Sequence, residues 1–455
     1  MTRSLASVAN EVHGRLIGAD SEFDAVTTDS RQAVSGALFV AISGERFDGN
    51  DFVADVHEKG AAGALVSRVA ESPLPQVEVD DTRRALGAMA RAWRGNFPLP
   101  VVAVTGSAGK TTVKELIAAI LRVNRKVCVT QGNLNNDIGL PLTLMRISPE
   151  HEVLVVELGA NHAGEIDNLS RLAQPTIGVI TNAGAAHLEG FGSLAGVAAA
   201  KGELLDHLPR TGTSVLNADD PFRADWRART RTWHVITFGF SADADCRVLG
   251  EPELRGEGSR FTMRLPDGEP LDIELPLVGR QNVANALAAA AAAHAAGARS
   301  AEIRAGLARG STVRGRMTVL RGSGGATVVD DSYNANPASA LAALDWLGER
   351  AGKRVFVLGD MAELGAEAEA LHRETGVYAR RHCDALIAIG SLAAHAADAF
   401  GTTGEAFADI ESARRALEPR LAGDLTILIK GSRVMRLDRL VAAFVDPDIR
   451  RPDRC

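Results

Sequence analysis

Between Thr105 and Thr112 the chain reads TGSAGKTT, and each residue type there suits a bound phosphate chain. An apolar run (Val101, Val102, Ala103, Val104) stops at Thr105. Gly106, Ser107, Ala108 and Gly109 follow, and a helical pattern begins after Lys110, Thr111 and Thr112. A strand, tight loop and helix start in this order point backbone N–H groups inward and add the positive end of a helix dipole, so phosphates can sit there. Lys110 would reach the β- and γ-phosphates, and the Thr111 hydroxyl would hold Mg²⁺. Val104 stands where the G-x-x-x-x-G-K spacing puts its first glycine, so this is a shorter variant. An ATP site is the expectation.

Other polar residues fall just past apolar runs. Val153–Leu158 reads as a buried strand delivering Glu157, a hard oxygen donor suited to magnesium. The run 176–181 is followed by NAGAAH, which ends on His187, a loop histidine open to a structural or a ligand role. Ligands of open α/β sheets collect beyond the carboxyl ends of the strands, so Lys110, Glu157 and His187 can converge. Lys201, in AAAKGELL, reads as a solvated helix lysine unless it lies near the metal, where a lysine carbamate would supply an anionic ligand. Asn282 and Asn285 share a helix face, where their amides suit an adenine edge, and N-capping accounts for Asn282 equally well.

The elements that must position these residues alternate as strand and helix. The first 97 residues read as a small α/β unit, with strands at 37–42 and 63–66 and helices at 52–59 and 82–93 leading to a linker at Pro98 and Pro100. Two polar clusters in it, TDSR at 28–31 and DGNDF at 48–52, read locally as a turn and a helix cap. From 98 to 313 the pattern is that of a mostly parallel sheet, with a β-rich insert at 246–277 turning at Pro266-Asp267-Gly268 and an alanine-rich helix at 281–296. From 314 to 455 a further α/β unit is expected, its strands ending in Asp330-Asp331, Gly359-Asp360, Gly390 and Lys430-Gly431. It carries no G-x-G-x-x-G after a strand, so a dinucleotide site is not supported. The end, 446–455, reads as a frayed tail.

A chain of 455 residues with net charge −7 argues against a large nucleic-acid surface, and four scattered cysteines without a C-x-x-C pair argue against zinc and a disulfide framework. There is no signal-peptide core and no long apolar span, so a cytoplasmic protein without membrane insertion is expected.

Taken together, these segments resemble the Mur ligases, ATP-dependent amide-forming enzymes of peptidoglycan synthesis. The resemblance rests on TTDSR (27–31), DGNDF (48–52), TGSAGKTT (105–112), GNLNNDIGLPLTL (132–144), ELGANHAGEI (157–166), TNAGAAHLEGFGS (181–193), AKGEL (200–204), GRQNVANALAAAA (279–291), DDSYNANPAS (330–339), VLGDMAELG (357–365) and KGSR (430–433). Within the family, DDSYNANP together with LGDMAELG resembles most the member that adds D-alanyl-D-alanine to UDP-N-acetylmuramoyl-tripeptide.

The resemblance implies three α/β domains: an N-terminal substrate domain, a central P-loop-type ATPase domain and a Rossmann-like acceptor domain. It implies Lys110 on the phosphates, Thr111 and Glu157 on one Mg²⁺, and His187 with a carbamylated Lys201 on a second. It implies Asn282 and Asn285 at adenine, Arg316 at the γ-phosphate, and Asp331 and Tyr333 completing the nucleotide site. Ser30, Arg31, Asp48 and Asn135 would serve the UDP-substrate, and Asn334, Asn336 and the 357–365 and 430–433 segments the acceptor. The family usually has His where this chain has Gln281. A monomer is expected. The competing expectations are another Mur-type or folylpolyglutamate synthetase-like ligase, and a P-loop ATPase of a different class.

Overall fold

The computed structural model describes residues 2–32, 35–44, 47–268 and 270–445, so the expected tail at 446–455 lies outside the described residues. Three large sheets follow one another along the chain, with a two-stranded antiparallel pair of Arg3–Ser4 and Glu22–Phe23 beside the first. The first has strand order 15–17, 76–78, 63–66, 37–40, 25–27, parallel except for its Arg15–Ile17 edge. Its central strands are buried on both faces, which is why Ala37–Val40 and Gly63–Val66 read as short continuous apolar runs.

Helix Thr82–Gly95 joins this unit to the next. Asp81 caps it, accepting from the N–H groups of Arg83 and Arg84 at 2.8 and 3.0 Å. Its Ala85, Leu86 and Met89 pack into the first core, while Ala90 and Trp93 pack into the second. The expected linker at 97–100 is not a free hinge. Phe97 and Leu99 are buried, and the buried Arg94 guanidinium donates to the carbonyls of Ala173, Phe97 and Leu99.

The second sheet has nine strands, ordered 127–129, 153–157, 101–105, 177–180, 213–217, 234–239, 246–254, 259–264, 270–275. The first seven run parallel, and the last two continue the same sheet as antiparallel strands. The β-rich segment expected as an insert is therefore the sheet's extension, reached through a short parallel pairing of Phe238 and Gly239 with Cys246 and Arg247. Strand Val101–Thr105 lies between 153–157 and 177–180. The chain leaves it toward one edge and leaves 177–180 toward the other, so the loop after Thr105 stands at the topological switch point.

Helix Lys110–Leu121, which follows that loop, is held from two sides. The alanine-rich helix Arg280–Ala295 packs on it, and helix Ser300–Ala308 comes so close that a Cβ on Gly306 would lie 2.2 Å from Ile120 Cα.

The third sheet is ordered 318–321, 327–331, 425–430, 353–359, 385–389, 404–407, parallel apart from its first strand. The α/β class and the three-part organisation match the sequence expectation. Among the described residues no helix is long and apolar enough to cross a membrane. The cysteines among them, Cys128, Cys246 and Cys383, are buried and unpaired, and burial pushes the thiols of the latter two up to about 12.

Candidate active site

A cleft of about 1030 Å³ opens where the carboxyl ends of the second and third sheets face each other. Gly106 and Gly109 shape its floor. Both have positive φ (+142° and +81°), and a Cβ would lie 1.9 Å from Thr181 Oγ1 at the first and 2.4 Å from Asn285 Oδ1 at the second. Only glycine fits this close approach of loop to wall. The wall also braces the loop. Asn182 accepts from Ala108 N–H at 2.9 Å, Thr181 Oγ1 donates to Ala108 O at 2.6 Å, and Ser107 Oγ bonds both polar groups of the Gly184 backbone.

Beyond the loop the first N–H groups of the helix lack intrahelical partners, as at any helix start, and an anion suits them. Lys110 folds over the loop and donates to the carbonyls of Gly106 (2.6 Å) and Ser107 (3.4 Å). Burial and the Arg316 charge lower its pKa, against the pull of Glu157. An amine placed among carbonyls and neighbouring cations gains from an arriving polyanion.

Glu157 sits at its strand end, buried, with Oε1 accepting from Asn135 Nδ2 at 2.7 Å and Oε2 without any partner. A buried carboxylate oxygen left unpaired costs free energy unless something is bound there, and a hard divalent cation matches it. Thr111 is buried in the first turn of the helix that follows the loop, and its hydroxyl accepts from Arg316 at 3.0 Å. Among the described residues no three His, Cys, Asp or Glu side chains form a ready-made metal cluster. An ion here would complete its shell with hydroxyl, phosphate and water oxygens, as Mg²⁺ commonly does.

His187 adopts a left-handed conformation (φ +54°), and its Nδ1 meets the Glu363 carboxylate from the third sheet. Burial lowers its pKa, as do the charges of Lys110 and Lys201, while Glu363 raises it. Lys201 is 1% exposed, contrary to the solvated-helix reading. Its Nζ donates to Ala160 O at 3.3 Å and lies 5.0 Å from the centre of the Phe191 ring. Burial and the nearby Lys110 push it down to about 7, although Glu165 and Glu203 oppose the shift.

The third sheet supplies the facing wall. Arg316 stacks on Tyr333 at 4.4 Å, and Arg433 approaches the same ring at 5.4 Å. Asp331 is buried, accepting from Met317 N–H at 3.1 Å and from Lys430 Nζ at 2.6 Å. Burial raises its carboxyl while Lys430 and Arg316 pull it down. Asn336 caps helix Pro337–Gly348 by accepting from Ser339 N–H at 2.9 Å, and Asn334 is exposed on the cleft.

Asn282 is not an N-cap. It stands inside helix Arg280–Ala295 and donates to Val278 O at 2.9 Å, while Asn285 donates to its Oδ1 at 3.0 Å, and both amides and Gln281 line the cleft.

The cleft does not gather every expected residue. Ser30, Arg31 and Asp48 lie off its wall, and the buried Thr111 and Lys201 do not line it either. Arg31 pairs with Asp29 at 2.9 Å, and the Ser30 carbonyl accepts from Lys59. Asp48 caps the turn at 49–52 by accepting from Asn50 N–H and Ser43 Oγ. Conversely, Arg83, Asp137, Glu363 and Arg433 line the cleft without having been singled out individually. Glu363 and Arg433 fall in the LGDMAELG and KGSR segments, the only sequence signal they carry.

Family models match this chain in three stretches: the Mur ligase family catalytic domain at 22–94, the Mur ligase middle domain at 104–293 and the Mur ligase glutamate ligase domain at 315–433. It is 44% identical to the UDP-N-acetylmuramoyl-tripeptide–D-alanyl-D-alanine ligase of Escherichia coli over 97% of this chain and 98% of that protein. The chain belongs to the Mur ligase family.

Solved structures of Mur ligases agree. MurF from Acinetobacter baumannii superposes with a TM-score of 0.91 at 34% identity, covering 97% of this chain and 98% of that one. MurF from Thermotoga maritima in complex with ADP gives 0.82 at 28% identity, covering 92% and 96%. As a Mur ligase the chain is an enzyme that forms carbon–nitrogen bonds, and its cleft is where the family's middle and C-terminal domains meet.

Proposed function

We propose that this chain joins D-alanyl-D-alanine to UDP-N-acetylmuramoyl-tripeptide at the expense of ATP, in the cytoplasm, through an acyl-phosphate intermediate. The observation that carries the reading is the Gly106–Thr112 loop facing the unpaired Glu157 Oε2 across one cleft, in a chain whose relatives of near-equal length bear that activity in their names. The division into a UDP-substrate domain (1–97), an ATP domain (98–313) and an acceptor domain (314–455) is supported by the three sheets and the three family-model spans.

In this reading Lys110 and the first N–H groups of its helix hold the phosphates, Asn282 and Asn285 face adenine, and Arg316, Asp331 and Tyr333 close the nucleotide site from the third sheet. Ser30, Arg31, Asp48 and Asn135 belong to the UDP-substrate side, and Asn334 and Asn336 to the acceptor side. The terminal carboxylate of the tripeptide forms a bond to the γ-phosphorus, and ADP leaves. The free amine of D-alanyl-D-alanine then bonds to the acyl carbon, a proton is lost, and phosphate leaves.

Two anions meet in the first step, so Lys110 and Arg316 offset the gathering charge. Mg²⁺ held by Thr111 and Glu157, and a second ion held by His187 and a carbamylated Lys201, would add Lewis-acid stabilisation there. Lys201 suits the modification: near pH 7 a share of its amine is uncharged, and addition of CO₂ with loss of a proton gives the carbamate.

The test is phosphate release from ATP in a matrix of UDP-muramoyl di- and tripeptides against D-alanyl-D-alanine, single amino acids and no amine. Release with tripeptide plus dipeptide, and a new amide by mass, is expected. Release with dipeptide plus a single amino acid would assign a different Mur activity, and amine-independent hydrolysis alone would overturn the ligase reading.

A further inference from the structure

Helix Lys110–Leu121 carries a second lysine, one turn after Lys110, that the ligase reading does not use. Lys114 is fully buried, and its neighbours Val113, Leu116 and Ile117 belong to the apolar core. An ammonium taken out of water is costly unless it is paired and hydrogen-bonded. Here Nζ pairs with Glu115 Oε1 at 2.6 Å and donates to the carbonyl of Thr130 at 2.8 Å.

The contact with Thr130 falls where two strands part. Strand 127–129 pairs with 153–157 in the register Val127–Val153, Cys128–Leu154 and Val129–Val155, and Thr130 N–H donates to Val155 O at 3.1 Å. The next bond of a parallel ladder would run from Glu157 N–H to Thr130 O. Instead Glu157 N–H donates to the Thr130 hydroxyl at 3.1 Å, and the Thr130 carbonyl is taken by Lys114. The chain then leaves the sheet and brings back Asn135, whose Nδ2 donates to Glu157 Oε1 at 2.7 Å. One short segment, 130–135, therefore holds Glu157 by its backbone and by its carboxylate. Lys114 fastens that segment to the helix that also carries Thr111.

We propose that Lys114 is a positioning residue for the magnesium site, fixing the spacing between Thr111 on the helix and Glu157 on the strand through Thr130. The proposal rests on the metal assignment in the ligase reading and goes beyond it. The apolar contacts under the helix are non-directional and do not by themselves set its position along the sheet. A hydrogen bond from a buried ammonium to one peptide carbonyl does. The Thr130 hydroxyl is needed by the same geometry, because Glu157 is buried and its N–H requires an acceptor once the carbonyl is engaged elsewhere.

The experiment titrates the whole chain with Mn²⁺ in the presence of ADP and reads free Mn²⁺ by its electron paramagnetic resonance signal. The site in question is the one that Glu157→Gln removes. Lys114→Met should weaken Mn²⁺ there by about ten- to hundredfold, the usual cost of losing a group that orients a metal ligand. Thr130→Val should do the same, and Thr130→Ser, which keeps the hydroxyl, should stay near wild type. The Lys114→Met, Thr130→Val double variant should be no weaker than the worse single one, since both act through one relay. Affinity for ADP in chelator, without metal, should not move.

A Lys114→Met protein with wild-type Mn²⁺ affinity overturns the proposal and leaves the lysine a support of the fold, read as a lower melting temperature alone. If Lys114→Met does not fold, the Thr130 variants decide, and equal Mn²⁺ affinity in the Val and Ser forms overturns the relay. Failure of the underlying metal assignment looks different: Glu157→Gln itself would bind Mn²⁺ as wild type does.

Discussion

Lys110 shows how much one amine can carry when its environment is arranged in advance. It lies on the carbonyls of Gly106 and Ser107, close enough to Glu157 and Arg316 for both to act on its charge. Losing a preorganised electrostatic group costs on the order of 10²–10³ in rate. Lys110→Ala should lose at least that much turnover and keep its melting temperature, and near-normal turnover would remove the central assignment. Lys201→Ala should be largely inactive, with millimolar short carboxylic acids restoring part of the rate by standing in for a carbamate; without rescue the carbamate is wrong and the ATP site untouched. These two residues were legible to different degrees. Lys110 was readable because strand, glycines and helix start are all local in sequence. Lys201 was not, because its burial comes from Phe191, Ala160 and the packing of helix Leu194–Asp206, and AAAKGELL alone looks like a solvated turn of helix.

At the scale of elements, helix Thr82–Gly95 and the stretch after it behave as a stiff joint. Arg94 donates to three backbone carbonyls inside the protein, and Arg94→Ala would take the donor from those of Ala173 and Leu99 at about 1–3 kcal/mol for each buried group, while Phe97 O keeps the Leu99 N–H. A clear drop in the midpoint of urea unfolding is expected, with little change in KM for ATP; an unchanged midpoint would mean the joint is free. The prolines at 98 and 100 suggested a linker, and nothing local announces that Phe97 and Leu99 find a core belonging to a later part of the chain.

Helix Ser300–Ala308 carries a second measurable contact. Glu302 accepts from Arg299 N–H, then from Asn124 and the Arg299 side chain, and these hold its carboxyl at about 2 against the ordinary 4.5. Because the folded value is depressed, the contact stabilises fully above pH 4.5 and is lost as pH falls toward 2. Glu302→Gln should therefore flatten the acid side of the melting-temperature profile in that window, and a profile parallel to wild type would refute it. The strands themselves were mostly readable from apolar runs. The 246–277 segment reads as a β-rich insert with a turn, but its membership of the central sheet depends on a two-residue parallel pairing that no local pattern encodes.

For the whole molecule, the second and third sheets are linked across the cleft by Arg316 on Thr111 and Glu363 on His187. If these contacts hold the reacting groups away from water, nucleotide and tripeptide together should reduce the radius of gyration measured by small-angle scattering. Arg316→Ala should lose that compaction and more kcat than nucleotide affinity; compaction equal to wild type would assign closure to other contacts. Cross-domain partners of this kind were the least legible part of the site, since each joins residues with no sequence relationship.

The covering of helix Lys110–Leu121 has a consequence for how the protein is made. The helix is formed early, yet one of the surfaces that buries it, helix Arg280–Ala295, ends 185 residues after Lys110. At ~5–20 residues per second of synthesis, roughly ten to forty seconds pass before that cover leaves the ribosome. During that interval Val113, Leu116, Ile117 and Ile120 have no complete partner, so nascent chains stopped before residue 280 should bind chaperones that chains released past 308 do not.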